Sequence, residues 1–241
     1  MNHGHHFIDS WGAIFIQEKG KTDGIMFISL EGIEGSGKTT QLNHILYFLE
    51  SKGHRCVTTR EPGGTRIGKK IRTLLLDPDN KSMDPMTELL LYIADRAQHM
   101  NEIISPALVE GKTVICDRFF DATLVYQGYA RGLNIDLIKR LHKLLINDLH
   151  PDITILFDLS PETGLSRAWK QIEDGSRTHI ESRFEKEALL FHEKVRAGYL
   201  ELAHSKPERF IIIDSSKNET EVKKQVIIEL TNHLNLASVH P

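Results

Sequence analysis

The chain has 241 residues, of which 40% are hydrophobic and 26% charged, so it is long enough for one sizeable globular domain with a core. Its formal net charge of −3 excludes a general attraction to nucleic acid or membranes, and any basic site must be local. No apolar stretch approaches the ~20 residues that span a bilayer, and two cysteines, Cys56 and Cys116, predict reduced thiols in the cytoplasm rather than a disulfide framework.

The first 25 residues precede the first predicted strand. They lack the basic start of a signal peptide, and polar residues interrupt their apolar stretch. Several histidines near the start could suggest a metal site, although histidines on a free tail are usually solvated. Because "MFISLEGIEGSGKTT" from Met26 onward reads as a complete start, we expect residues 1–25 to be dispensable, either as an extension or because the start site is assigned too early.

Aliphatic and β-branched runs predict five strands, at 26–31, 55–60, 113–117, 153–158 and 210–214. Apolar and polar residues do not alternate strictly along these runs, as expected for strands that are covered on both faces of a parallel sheet. Helical periodicity between the strands occupies 38–52, 86–110, 134–147, 183–204 and 219–235. This order predicts an α/β fold with a five-stranded, doubly wound parallel sheet flanked by helices. No repeat or linker divides the chain, so we expect residues 26–241 to form a single domain.

A glycine-rich loop follows the first predicted strand and leads into the first predicted helix. Its sequence, GIEGSGKT, fits the pattern G-x-x-x-x-G-K-[ST] of a P-loop NTPase. Glycines allow the backbone N–H groups to turn inward around phosphates, and the helix adds the positive end of its dipole. Lys38 is expected to reach the β- and γ-phosphates of ATP, and the Thr39 hydroxyl to ligate Mg²⁺. The predicted nucleotide-binding residues are Gly32, Ile33, Glu34, Gly35, Ser36, Gly37, Lys38 and Thr39.

The ends of the second and third strands carry residues suited to an acceptor. After the second strand comes "TREPGGT", in which Pro62 fixes its own φ and two glycines allow close approach of the backbone. Alone, this segment could simply join a strand to a helix. Asp117 and Arg118 follow the third strand, at the edge where parallel sheets bind ligands. The N-K-x-D segment with which GTPases read guanine is missing, so a kinase for a small acceptor is favoured.

Residues 166–183, "SRAWKQIEDGSRTHIESR", interrupt the alternation of strands and helices. A polar, charged run of this kind is commonly a solvated helix and loop. It could also be a mobile lid that brings cations onto phosphates. We favour the lid, with Arg177, next to the flexible Gly175-Ser176 pair, as the catalytic arginine. Arg167 and Arg183 are expected to anchor its ends.

Five motifs in this order and spacing resemble the bacterial form of the dTMP kinase (thymidylate kinase) family. They lie between about Met26 and Glu185 and read "EGIEGSGKTT", "TREPGGT", "LLLYIADRAQ", "DRFFDATLVYQGYARG" and "ESRFE". The resemblance implies that the γ-phosphate of ATP is transferred to dTMP, giving ADP and dTDP for dTTP biosynthesis. It also implies a requirement for Mg²⁺ and a homodimer.

The resemblance further implies roles for single residues on the dTMP side. Glu34 would lie near the sugar 3′-hydroxyl, and Arg72 and Arg118 would hold the dTMP phosphate. Arg96 would reach the thymine edge, with Tyr92 against the base face; the two are i and i+4 on one helix face. The other expected substrate contacts are Glu61, Pro62, Tyr126 beside the sugar and Gln127 at the base.

Four residues are expected to be catalytic: Lys38, Asp117, Arg118 and Arg177. Because the acceptor is an oxygen of an anionic phosphate, alignment and charge neutralisation dominate and no strong general base is needed. Asp117 is therefore expected to orient Arg118 or a Mg²⁺-bound water rather than to remove a proton.

Other functions stay open at this point. One is a kinase for another pyrimidine nucleoside monophosphate, such as dUMP, UMP or CMP, and another is a P-loop regulator that binds ATP without transferring phosphate. A polynucleotide-end kinase is disfavoured because the net charge offers no strand-binding stripe. The chain also departs from many relatives, which have Phe at the position of Tyr92, Ser at that of Ala122 and a shorter lid.

Overall fold

The computed structural model describes residues 25–146, 148–176 and 178–237. Residues 1–24 of the expected extension and the predicted catalytic residue Arg177 therefore lie outside the described residues. All five predicted strands are present, and they form one parallel sheet in the order β2-β3-β1-β4-β5. The strands are β1 (Phe27–Glu31), β2 (Cys56–Arg60), β3 (Thr113–Asp117), β4 (Ile153–Asp158) and β5 (Phe210–Asp214).

Helices separate the strands along the described chain. Their bounds are α1 (Lys38–Ser51), α2 (Arg66–Leu76), α3 (Pro85–His99), α4 (Ser105–Val109), α5 (Phe120–Thr123), α6 (Ile135–Ile146), α7 (Pro161–Glu173), α8 (Leu189–Ser205) and α9 (Glu219–Ala237). π-helical turns at Met100–Ile104 and Leu124–Ala130 connect α3 to α4 and extend α5, and short 3₁₀ turns lie at Pro78–Asn80 and His179–Glu181. Among the described helices, none is both long enough and apolar enough to cross a membrane.

Two apolar cores cover the two faces of the sheet. On one face, Ile28 and Leu30 of β1 pack with side chains of α1 and α9, including Ile45 and Val226. On the other face, Phe27 of β1 packs with residues of α2, α3, α8 and the segment after β3. Successive side chains of a strand point to opposite faces, so strands buried on both sides must be apolar throughout. This explains the lack of strict alternation in the sequence.

The sheet brings the predicted ligand-binding segments to one edge. In the parallel register, Leu30 of β1 and Arg60 of β2 both lie opposite Asp117 of β3. The P-loop, the turn after β2 and Arg118 therefore leave the sheet side by side. Glu61 reinforces this arrangement, because its backbone N–H donates to the Asp117 carbonyl at 3.0 Å. The peptide bond between Glu61 and Pro62 is cis.

The structure differs from the predicted elements at α2, α7 and the start of α8. Two helices, α2 and α7, lie outside the predicted helical ranges: α2 follows the turn interpreted as joining a strand to a helix, and α7 overlaps the segment 166–183 interpreted as a solvated helix and loop or a lid. α7 starts at Pro161 after Ser160, whose hydroxyl accepts the Thr163 N–H at 3.3 Å, an N-cap that the sequence contains. The helix predicted from residue 183 instead starts at Leu189, because the chain from 184 to 187 forms turns.

Both cysteines are free, as the sequence predicts. Cys56 is half-buried on β2 and Cys116 is buried on β3. Burial raises the pKa of each thiol above its usual range, most strongly for Cys116. Neither is therefore an activated nucleophile, and both are packing residues of the sheet.

Candidate active site

The glycine-rich loop between β1 and α1 has the conformation of a phosphate-binding loop. Gly32, Gly35 and Gly37 all have positive φ angles, of 136°, 69° and 89°. A Cβ atom added at Gly35 would lie 2.1 Å from the Gly164 carbonyl oxygen of α7, so only glycine fits there. The loop is therefore pressed against the first turns of α7.

Lys38 lies at the centre of this loop. Its ammonium group donates to the carbonyl oxygens of Gly32 and Ile33, at 3.0 and 2.8 Å, and lies 3.3 Å from the Ser36 hydroxyl. Burial, followed by the charge of Arg118, lowers the pKa of Lys38 to about 8. An anionic phosphate chain in the loop would favour the charged form and give the ammonium group a stronger partner.

Arg118 follows β3 in a backbone conformation that side chains rarely adopt. Its φ is 69°, in the left-handed region, and such strain is concentrated at functional sites. The guanidinium donates to Glu34 at 2.9 Å and to the Tyr199 hydroxyl at 3.4 Å, and it lies 4.8 Å from the centre of the Tyr126 ring. These partners hold the Arg118 guanidinium beside the cleft that the P-loop lines.

Glu34 ties Arg118 to the substrate cavity. Its carboxylate accepts from Arg118 and from the Tyr126 hydroxyl, the latter at 2.7 Å, and His192 lies 3.4 Å away. Burial opposes ionisation of this carboxyl, but Arg118 and His192 outweigh it and hold the pKa of Glu34 well below its usual range. The ionised Glu34 carboxylate therefore holds the side chains of Arg118 and Tyr126 by hydrogen bonds. It lies beside the sugar position that the resemblance implies.

All nine residues predicted to bind dTMP line one cavity. Its atom-free space is about 570 Å³, partly open to solvent, and its lining also includes Phe119, Ala122 and Thr123. The nine are Glu34, Glu61, Pro62, Arg72, Tyr92, Arg96, Arg118, Tyr126 and Gln127. Glu34, Arg72 and Arg118 also line the adjoining cleft, where they meet the P-loop from Gly35 to Thr39. One end of the cavity thus opens onto the phosphate loop.

Arg96 lines the cavity but not the P-loop cleft, and it belongs to a buried network. Its guanidinium donates to Glu61 at 2.9 Å and to the Thr123 hydroxyl at 2.8 Å. His99 contacts the second oxygen of Glu61 at 2.9 Å, so this carboxylate is held from both sides. The Nη1 group of Arg96 is buried without a hydrogen-bond partner among the described residues. A ligand that offers an acceptor here would satisfy it.

Gln127 is fixed by a buried carboxylate that sequence reasoning missed. Glu88, on the buried face of α3, accepts from Gln127 at 2.8 Å, from Arg131 at 3.2 Å and from Arg183 at 2.5 Å. A carboxylate between two arginines is an acceptor, so the Gln127 amide must present its N–H to it. This leaves the Gln127 carbonyl oxygen as an acceptor in the cavity lining.

Arg72 marks the phosphate end of the cavity. Its guanidinium donates to both carboxylate oxygens of Glu181, at 2.8 to 3.1 Å, and to the Pro62 carbonyl at 3.0 Å. Such a fork-on-carboxylate pair has the geometry with which arginine also binds phosphate. Glu181 belongs to the segment between α7 and α8, so the predicted lid contacts the predicted acceptor site directly.

Asp117 differs from its expected role toward Arg118. Among the described residues it makes no hydrogen bond to the Arg118 guanidinium, which Glu34 and Tyr199 orient instead. The Asp117 Oδ1 atom is buried and lacks a partner in the same part of the chain, and the residue lines the cleft beside Lys38 and Thr39. An unpaired carboxylate oxygen beside a phosphate loop suits a hydrated cation.

Glu31 and Tyr199 hold the turn after β3 in place, and sequence reasoning did not identify either residue. Glu31 accepts the Phe119 N–H and the Tyr199 hydroxyl, both at 2.8 Å. Burial, together with the Asp121 carboxylate, raises the pKa of Glu31 to about 8, so it anchors the turn after β3 largely uncharged. A glutamate in an otherwise apolar strand was a signal for this role, whereas nothing marked Tyr199 on α8.

The arginines at the two ends of the predicted lid are occupied elsewhere. Arg167 of α7 donates to the Ser215 carbonyl at 3.0 Å. Arg183 is buried, donates to the Leu75 carbonyl and pairs with Glu88. Both therefore anchor the ends of the segment, as expected.

This chain is similar to several thymidylate kinases. The family model described as thymidylate kinase matches residues 30–226. The thymidylate kinase of Desulfosudis oleivorans is 58% identical over 205 residues, which cover 85% of this chain and 96% of that relative. The thymidylate kinase of Desulforapulum autotrophicum is 54% identical over 211 residues, which cover 88% of this chain and 93% of that relative.

A solved structure agrees with the same assignment. The crystal structure of thymidylate kinase from Ehrlichia chaffeensis superposes with a TM-score of 0.66 at 37% sequence identity, covering 86% of this chain and 99% of that one. The five-stranded parallel sheet flanked by helices matches this neighbour, so the predicted α/β P-loop NTPase fold is confirmed. By motif, fold and sequence, the chain belongs to the thymidylate kinase family.

Proposed function

We infer that the chain transfers the γ-phosphate of ATP to dTMP, yielding ADP and dTDP as a step of dTTP biosynthesis. The observation that supports this most directly is the single cavity lined by all nine predicted dTMP residues, whose phosphate end adjoins the P-loop. Arg72 and Arg118 stand where the acceptor phosphate would meet the donor. The two pockets thus supply the alignment on which phosphoryl transfer depends.

Charge neutralisation is the second part of the proposed mechanism. Lys38 would hold the β- and γ-phosphates, and Arg118 would contact the transferred group and the acceptor. The acceptor oxygen of dTMP is already anionic, so no residue is needed to remove a proton from it. We assign the remaining positive charge to Arg177, carried by a lid at about 166–183.

The chain's own residues fit a magnesium ion delivered with ATP. Thr39 offers a hydroxyl at the start of α1, and Asp117 offers the buried, unpaired carboxylate oxygen described above. We propose that these two residues hold the ion, Asp117 through a bound water. When bound, the ion would neutralise charge on the β- and γ-phosphates.

The base end of the cavity favours thymine or uracil over cytosine. Arg96 has a buried donor without a partner among the described residues, and the Gln127 amide, which donates its N–H to Glu88, has its carbonyl oxygen as an acceptor. Thymine and uracil present a carbonyl acceptor and an N–H donor on neighbouring atoms, whereas cytosine presents the reverse pattern. A cytosine base would therefore leave buried polar groups unpaired, which costs about 1–3 kcal/mol for each group. This pattern argues against CMP as the acceptor.

A coupled assay with ATP and Mg²⁺ that compares dTMP, dUMP, UMP and CMP tests the function. We expect dTMP to have the highest kcat/KM and CMP the lowest. Formation of dTDP would also eliminate a regulator that binds ATP without transferring phosphate. Equal use of CMP would contradict the proposed base contacts, and failure to phosphorylate any of the four acceptors would contradict the function.

Replacing Arg96 by Ala should weaken dTMP binding by about 1–3 kcal/mol, because a buried hydrogen-bonding group is lost from one substrate pocket only. The dissociation constant of ATP should stay within a few-fold. Both constants can be measured by calorimetry, with thermal unfolding as a check that the Glu61 network still folds. Equal weakening of both substrates would show that Arg96 has a structural role only.

A homodimer is proposed from the family and from an apolar surface on two adjacent helices. Ile67 and Leu74 of α2 are 46% and 51% exposed, and Leu90 of α3 is 52% exposed. Large apolar side chains grouped on neighbouring helices are typical of an interface. We propose that a second copy of the chain covers this surface.

A further inference from the structure

A cluster of metal-ligating side chains lies where α6 leads towards β4, outside the residues that the mechanism uses. Each of His142, Asp148 and His150 offers a ligand atom, and these three atoms lie within 4.8 Å of one another. His142 is buried at the end of α6, and its ring stacks on Phe120, with centroids 3.6 Å apart. The rings of His142 and His150 are 5.1 Å apart. Contacts of the His142 ring with Phe120 and His150 therefore help to fix the positions of the two histidines.

The hydrogen bond of His142 determines where its lone pair lies. The Nε2 atom of His142 lies 3.0 Å from the Leu149 carbonyl oxygen, which can only accept a hydrogen bond. This Nε2 must therefore carry the proton, and in the neutral ring Nδ1 carries the lone pair. The Nε2 atom of His150 lies 3.3 Å from an Asp148 carboxylate oxygen, so these two side chains can approach one ion together. Burial favours the neutral ring.

Both Nδ1 atoms are buried and lack a hydrogen-bond partner among the described residues. The bare Nδ1 of His142 is a buried acceptor without a donor, which is unfavourable, and a cation with empty coordination positions would satisfy it. An imidazole that donates from one nitrogen to a carbonyl or carboxylate and keeps the other bare is also the usual arrangement of a metal ligand. The Leu149 carbonyl is this outer partner for His142.

Asp148 completes the donor set. It is exposed and has a φ of 62°, a left-handed conformation that turns the chain back between the two histidines. A tetrahedral zinc site with bonds of about 2.0–2.2 Å needs ligand atoms about 3.4 Å apart. The three atoms must therefore close from their present separation, and rotation of the exposed Asp148 side chain can supply much of that movement.

We propose that His142, Asp148 and His150 form a site for a borderline divalent transition-metal ion such as Zn²⁺, distinct from the magnesium site at the P-loop. Two imidazoles and one carboxylate suit zinc and its neighbours, whereas Mg²⁺ and Ca²⁺ prefer oxygen ligands. Water would fill the remaining coordination position. The ligands lie within nine residues of one another along the chain, so the end of α6 and the following turn determine the geometry.

The test is a Zn²⁺ titration of the full chain in competition with a chromophoric chelator, with Mg²⁺ in excess. His3, His5 and His6 could bind zinc independently, so all proteins carry H3A, H5A and H6A. We expect one equivalent of Zn²⁺ in this background, and Co²⁺ should give the visible absorption of a tetrahedral site. Excess Mg²⁺ should not displace either ion.

Three further variants then address the ligands one at a time. His142→Gln can keep the Nε2 donor, His150→Gln replaces the imidazole by a polar side chain, and Asp148→Asn keeps a residue that tolerates the left-handed turn. Each should lower the Zn²⁺ affinity at least about 10-fold. The matched control is His204→Gln, a histidine in the last turn of α8, which should bind zinc like the background protein.

The outcomes are distinct. Failure of the background protein to bind an equivalent of Zn²⁺ would overturn the proposal and leave the two Nδ1 atoms to water. Unchanged affinity in His150→Gln and Asp148→Asn would overturn it equally. These two substitutions lie outside the core, so they remain decisive if loss of the stacked His142 ring prevents folding.

Discussion

Arg177→Ala is expected to lower kcat by about 10³-fold, while the dissociation constants of ATP and dTMP stay within a few-fold. An arginine that reaches a P-loop active site stabilises charge that develops mainly in the transition state. Ser36 leaves the loop without such a residue. The structure argues against the other two lid arginines as the catalytic arginine, because Arg167 donates to the Ser215 carbonyl and Arg183 pairs with Glu88.

Turnover and both affinities should be measured side by side for Arg167→Ala, Arg177→Ala and Arg183→Ala. The first and third should mainly lower the melting temperature, since they remove anchoring contacts. Arg177→Lys should restore only part of the turnover, because a point charge lacks the planar fork. Normal turnover in Arg177→Ala would assign the catalytic arginine to one of its neighbours.

Arg118→Lys is expected to lower kcat by about 10²-fold, the usual effect of removing one preorganised donor to a developing charge. The lysine keeps the charge but cannot contact Glu34 and Tyr199 while also reaching a phosphate. The affinity for dTMP should fall as well, since Arg118 lines both the cavity and the cleft. ATP affinity should change least.

Tyr199→Phe is the matched control for this experiment. It removes the 3.4 Å contact to Arg118 and a hydrogen bond to Glu31, but leaves the Arg118 guanidinium in place. Its effect on kcat should therefore be much smaller. Single-turnover kinetics would measure the transfer step directly, and a rate equal to that of the parent in Arg118→Lys would remove Arg118 from the proposed mechanism.

The sheet and the P-loop could be predicted from the sequence for physical reasons. Strands buried on both faces must be continuously apolar, so short apolar runs such as 153–158 can be recognised in the sequence as strands. A P-loop requires particular glycines at particular positions, whereas the residues expected to bind dTMP were assigned from the resemblance of sequence motifs to a known family. Their convergence on one cavity follows from the parallel sheet, which brings all the loops to one edge.

The remaining features could not be predicted because tertiary contacts determine them. α7 contacts the P-loop through the small residues Gly164 and Ala168, so its buried face lacks the large apolar side chains by which a helix is recognised. The two arginines that pair with Glu88 lie 43 and 95 positions away from it in the chain. Local sequence contains no information on such pairs. The same applies to Tyr199, which meets Glu31 from 168 residues away.

The pair between Arg72 and Glu181 has a consequence for how the acceptor enters. A phosphate that arrives at Arg72 has to displace a carboxylate, so binding is an exchange of one anion for another rather than addition to an open cation. Such an exchange changes the local charge little, and acceptor affinity should therefore respond weakly to ionic strength at this contact. The exchange removes one contact between α2 and the segment that joins α7 to α8, whereas Arg183 still anchors the end of that segment to the Leu75 carbonyl.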